Sequence, residues 1–103
     1  MNNFKAVHII LSALEKAMDC PILDTDAISA KALGVSEERW ARYIEMMIDA
    51  GYVKGASVHT DITGRTVVEI DDMRITLKGL EYLQENSLMR KAYNVAKGIR
   101  ELA

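Results

Sequence analysis

Gly34-Val35-Ser36-Glu37-Glu38-Arg39-Trp40-Ala41-Arg42-Tyr43-Ile44-Glu45-Met46-Met47-Ile48-Asp49-Ala50-Gly51 is the stretch whose reading decides how this chain folds. Trp40, Ile44, Met47 and Ile48 recur at helical steps, so they share one face of a helix that must be buried. Ser36 stands just before the first turn, where its hydroxyl can satisfy a free amide, and Glu37 and Glu38 lie at the positive end of the helix dipole. Gly51 closes the helix. Upstream, Asp24 or Thr25 caps a shorter helix carrying Ile28, Ala32 and Leu33, and Gly34 supplies the left-handed residue that stops it. Two helices joined across Gly34-Val35-Ser36 read as a helix-turn-helix.

Working toward the N-terminus, Phe4, Val7, Leu11, Leu14 and Met18 alternate at steps of three and four, which predicts a helix over residues 3–19. Ile10 and Ala17 widen its apolar face. Cys20-Pro21 ends it, because a residue before proline is pushed out of the helical region. Toward the C-terminus, residues 52–60 and 65–70 are rich in Val, Ile and Thr, and Asp61-Ile62-Thr63-Gly64 between them reads as a hairpin turn. Asp71-Asp72 marks a further turn. Thr76 caps a fourth helix carrying Leu77, Leu80 and Leu83, which breaks near Asn86-Ser87. Ser87 then opens a fifth, with Leu88, Ala92, Val95, Ile99 and Leu102 along one seam. The expected fold class is mainly α with a small β-hairpin: a winged helix-turn-helix with a C-terminal helical extension, one domain over residues 1–103.

Composition agrees with that size. Half of the 103 residues are apolar, enough to enclose a single core and too few for a second domain. Cys20 is the one cysteine, which excludes an internal disulfide and suits a reducing compartment. The apolar runs fall far short of the roughly 20 residues that span a bilayer, and Met1-Asn2-Asn3-Phe4-Lys5 does not read as an export signal. No membrane association and a cytoplasmic location are therefore expected.

Three segments carry a resemblance. Ala50-Gly51-Tyr52-Val53-Lys54-Gly55 leads into the hairpin, Ile75-Thr76-Leu77-Lys78-Gly79-Leu80-Glu81-Tyr82-Leu83 leaves it, and Lys91-Ala92-Tyr93 follows near the end. Together they resemble the YjcQ-like family of small bacterial and phage-associated winged-helix proteins. The resemblance implies the winged-helix fold and a bacterial or phage setting, and it brings no catalytic residues to carry over. It is concentrated between residues 50 and 99, so the third helix is judged by its own chemistry.

That chemistry is acidic. Residues 1–75 hold eight Lys/Arg against twelve Asp/Glu, whereas residues 76–103 hold five against three. A protein that grips duplex DNA neutralises phosphates with a basic stripe, because released counterions supply much of its affinity. Turning Trp40, Ile44, Met47 and Ile48 inward sends Glu38, Arg42, Glu45, Met46 and Asp49 outward, and three of these five are carboxylates. Glu38 and Glu45 both stand within side-chain reach of Arg42. The residues best suited to contact DNA are Arg39, Arg42 and Tyr43 on the third helix, with Lys54 and Arg65 on the wing. Their plainer role is solvation of a surface. Because a winged helix most often serves to bind DNA, a DNA-binding transcriptional regulator of bacterial or phage origin is the leading expectation; the competing class is a protein-interaction module using Glu38, Glu45, Met46 and Asp49, since an outward methionine adapts to varied partner surfaces. The first and last helices carry seams that can pack on each other or join a homodimer.

No catalytic constellation, and so no enzyme, is read here. The sequence has no Gly-Lys-Ser or Gly-Lys-Thr phosphate loop, no paired cysteines and no His-Glu-x-x-His helix, so neither a cofactor nor a metal is expected. His59 and Asp61 supply two ligands where a metal site ordinarily needs three or four. Cys20 lacks a neighbouring cation to lower its pKa and reads as a small buried apolar group. Asp24 and Asp26 read as helix-start carboxylates, and Tyr82 and Tyr93 as core aromatics.

Overall fold

A computed structural model describes residues 2–86 of the chain. Its first helix, α1 (Asn3–Lys16), is capped by Asn2, whose Oδ1 accepts the backbone N–H of Phe4 at 2.8 Å and of Lys5 at 3.2 Å. A 3-10 turn (Ala17–Asp19) finishes it, and Cys20 takes the extended conformation expected before Pro21. Ala6, Ile10, Leu11 and Leu14 are buried, whereas Phe4 and Met18, expected on the same face, are 74% and 62% exposed. Both stand at the ends of the stripe, past the reach of the elements packed on its middle. Cys20 is also exposed rather than buried.

The second helix departs further from expectation. Asp24 makes no side-chain cap bond, and Thr25–Ile28 form only a 3-10 turn. Ser29 is extended and interrupts the run; its Oγ donates to the Asp26 carbonyl at 3.0 Å and accepts from Ala32 N at 3.1 Å. It is therefore Ser29 that caps α2 (Ala30–Leu33), a single turn ended by Gly34 at φ 71. Ser36 then caps α3 (Glu37–Asp49) through Arg39 N, as its position predicts.

On α3, Trp40, Tyr43, Ile44 and Met47 are buried and Ile48 is packed against the core. The Trp40 indole Nε1–H donates to the Ile28 carbonyl at 2.8 Å, which ties α3 to the turn before α2. Asn3 ties it to α1: its Oδ1 accepts from Tyr43 Oη at 2.6 Å and from Arg39 Nη1 at 2.9 Å.

The strand-forming region is divided. Residues 52–60 do not form one strand, because Gly55 at φ 75 turns the chain. The two-residue β1 (Val53–Lys54) pairs antiparallel with β4 (Arg74–Ile75), joining the end of α3 to the start of the following helix. Strands β2 (Ser57–Thr60) and β3 (Thr66–Glu69) make the hairpin, with Val58 opposite Val68. Its loop is held by Asp61, whose Oδ1 accepts Thr63 N at 2.9 Å, Arg65 N at 3.0 Å and the Thr63 hydroxyl. These hydrogen bonds, the Thr63 hydroxyl first, hold the Asp61 carboxyl below its ordinary pKa.

Thr76 opens α4 (residues 77–86), as expected. Its hydroxyl donates to the Gly51 carbonyl and accepts from Gly79 N at 3.1 Å, so one side chain links the end of α3 to the first turn of α4. Leu83 is buried and Leu80 half-buried, but Leu77, expected with them, is 74% exposed. Tyr82 packs on Tyr52 with ring centroids 4.9 Å apart. The fifth helix expected from Ser87, and Tyr93 with it, lie outside the described residues. Among the described residues the architecture is mainly helical with two small antiparallel sheets, and α1 packs on both α3 and β4. Among the described residues no helix is long and apolar enough to cross a membrane.

Candidate functional site

An open cleft of about 990 Å³ runs between α3 and the β2–β3 hairpin. Arg39, Arg42 and Met46 line it from the helix, Val58, Arg65 and Val68 from the hairpin. It exists because the hairpin packs only its inner face against α3: Val58 and Val68 are half-buried cross-strand partners on that face. Met46 is 53% exposed at the opposite wall. Glu37 and Glu38 also reach the lining at the helix start.

Of the five candidate DNA contacts, Arg39, Arg42, Tyr43 and Arg65 line this cleft and Lys54 does not. Tyr43 was expected beside the outer face and is corrected to the core: it is 1% exposed, with its hydroxyl on Asn3. The spacing explains this, since Tyr43 stands three residues after Trp40 and four before Met47, inside the buried stripe. Lys54 lines a different, smaller hollow with Asp71, Asp72 and Arg74, on the β1–β4 side of the molecule. Arg39, Arg42 and Arg65 do share the cleft. They differ in engagement. The Arg39 guanidinium is held by Asn3, and that of Arg42 pairs with Glu45 at 3.3 Å. Among the described residues the Arg65 guanidinium has neither a hydrogen bond nor an ion pair. Glu38, the other expected partner of Arg42, makes no ion pair among the described residues. The pair with Glu45 is exposed on both sides and, at i to i+3, worth about 0.2–0.5 kcal/mol.

The four candidate partner contacts are on the outside of α3 as expected: Glu38, Met46 and Asp49 are exposed and Glu45 half-exposed. Three features escaped sequence reasoning. Asn3 orients Arg39 from another helix, and Val58 and Val68 supply the apolar wall. The alternation of Val58 and the register with Val68 carry the only sequence signal for that wall, because the face they choose depends on where α3 sits.

A family model described as YjcQ protein matches residues 8–102. The chain belongs to the YjcQ family. The YjcQ match spans α3, both sheets and hence every cleft residue named above except Asn3, which precedes it. No curated protein and no solved structure matches the chain. Among the described residues no group of three or more His, Cys, Asp or Glu is placed to hold a metal ion, and His59 stands exposed in β2.

Proposed function

We propose that this chain is a winged-helix protein-interaction module without enzymatic activity, working in the cytoplasm of a bacterium or its phage, and that the outer side of α3 with its hairpin cleft is the surface it presents. The observation that carries this reading is the composition of that surface. Glu38, Glu45 and Asp49 stand on the side of α3 that a docked duplex would face. Bringing carboxylates against a phosphate ladder costs Coulombic energy that three arginines, one clamped by Asn3, do not offset. The exposed free thiol of Cys20 suits a reducing compartment.

A second reading, a DNA-binding transcriptional regulator, is favoured by Arg39, Arg42 and Arg65 facing one cleft between helix and hairpin. Titrating a labelled genomic duplex with the full chain at about 50 mM salt and again at about 200 mM separates the two, because phosphate contacts are strongest at low salt. No anisotropy change at low salt is expected. Binding at low salt that weakens steeply with added salt and is lost in Arg39→Ser/Arg65→Ser overturns the proposal in favour of DNA. A second copy of the chain is one partner the reading admits, since Phe4 and Met18 leave apolar surface on α1. A monomeric mass in solution removes the homodimer.

A further inference from the structure

Charges of both signs share the outer side of α3. Glu45 and Asp49 do not line the cleft, whereas Arg39, Arg42 and Met46 do, with Glu37 and Glu38 near the helix start. Arg65 faces them from the hairpin. The same cleft has apolar lining on both walls, Met46 on the helix and Val58 and Val68 on the hairpin. Guanidiniums bind carboxylates in paired forks, and an exposed methionine beside two valines accepts an aliphatic or aromatic side chain.

We propose that this cleft binds an acidic peptide segment of a partner protein. An apolar side chain of the segment sits on Met46, Val58 and Val68, and its flanking carboxylates engage Arg42 and Arg65. The inference rests on the protein-interaction reading above and names the partner's chemistry. Charge complementarity selects this occupant over a nucleic acid. Discrete carboxylates can meet the arginines and avoid Glu37 and Glu38 at the helix start, whereas a duplex presents a charge about every 1.7 Å and leaves the apolar lining without a partner. The space, about 990 Å³, suits several residues of a chain rather than one side chain. The Arg42–Glu45 pair is no obstacle, because both groups are solvent-exposed and an incoming carboxylate replaces Glu45 like for like.

The test is selection from a random dodecapeptide display library on the immobilised full chain, followed by titration of the enriched peptides. Trp40, the one tryptophan of the sequence, lines the cleft and reports binding by its emission. Enriched peptides are expected to carry net negative charge and at least one large apolar residue. Arg42→Ser/Arg65→Ser, both changes at exposed positions, is expected to weaken them about tenfold or more, and Met46→Glu to abolish binding with circular dichroism unchanged. Neutral or basic winners, or acidic winners indifferent to the double variant, overturn the inference. Basic winners lost in Glu45→Gln/Asp49→Asn overturn it while leaving a protein-interaction module standing. No enriched peptide, together with duplex binding at low salt, overturns both.

Discussion

The rotation of α3 decides which side chains meet a partner, and its buried anchor is the hydrogen bond from Trp40 Nε1–H to the Ile28 carbonyl at 2.8 Å, beside the bonds of Tyr43 and Arg39 to Asn3. Because Trp40 is the single tryptophan, biosynthetic replacement of all tryptophan by benzothienylalanine alters only this residue. Sulfur then stands where the N–H was, the ring keeps nearly its shape, and the Ile28 carbonyl loses its donor. An orphaned buried acceptor costs about 1–3 kcal/mol, which in a domain of this size lowers Tm by roughly 5–20 °C. Trp40→Phe loses the same bond and also ring atoms, worth about 1–2 kcal/mol more by area. Urea and thermal unfolding followed by far-ultraviolet circular dichroism measure both, since tryptophan emission is lost in each. The expected order is parent, then benzothienylalanine, then phenylalanine, with at least a third of the phenylalanine loss already present in the sulfur analogue. A benzothienylalanine protein as stable as the parent refutes the reasoning, for then packing and the Asn3 bonds orient α3.

Gly55→Ala is expected to destabilise by about 2–4 kcal/mol, because φ 75 is unfavourable for a side chain and an added Cβ meets the Asp72 carbonyl. Gly34→Ala, at φ 71 with open space around it, is expected to cost only about 1 kcal/mol; equal denaturant midpoints for the two count against the contact with Asp72. Thr76→Val is expected to lose about 1–2 kcal/mol in the same assay, as its hydroxyl serves both Gly51 and Gly79, and a neutral result would mean water replaces it at both. Asp61 has a folded pKa below its ordinary 3.8, so its contribution to the hairpin is fully present above that value and is lost as pH falls through the lowered one. Amide exchange at Thr63 and Arg65 is expected to quicken in that acid range and to be fast already at neutral pH in Asp61→Ala; protection that ignores both changes contradicts the loop assignment.

Long periodic patterns were legible in the sequence, and pairings between distant segments were not. Trp40, Ile44 and Met47 declare the inner face of α3 by spacing alone, and Ser36, Gly34, Thr76 and Asp61 do their expected work because caps and turns depend on neighbours a few residues away. Ser29 was hidden by Asp24 and Thr25, which are equally good capping types; in the fold it is the Ser29 hydroxyl that accepts Ala32 N, one residue past the Ile28 carbonyl bound by Trp40. The division of residues 52–60 escaped for the same reason: β1 finds its partner in β4, about twenty residues on, and neither two-residue strand has a period to detect. Phe4, Met18 and Leu77 were placed inside on periodicity that continues past the core it serves.

The candidate site shows the same limit more sharply, and it bears on what a helix-turn-helix pattern can mean. The sequence lists Arg39, Arg42, Lys54 and Arg65 as four cations available to one ligand. In the fold, the turn at Gly55 sends the chain from the β1–β4 pair into the hairpin, so that Lys54 serves one hollow and Arg65 another. Lys54 and the three arginines of the cleft therefore line separate hollows. The cleft holds three guanidiniums, an apolar lining of Met46, Val58 and Val68, and Glu37 and Glu38 near the helix start. Such a surface discriminates by placing a few charges at fixed points, which suits a partner whose own charges are few and fixed.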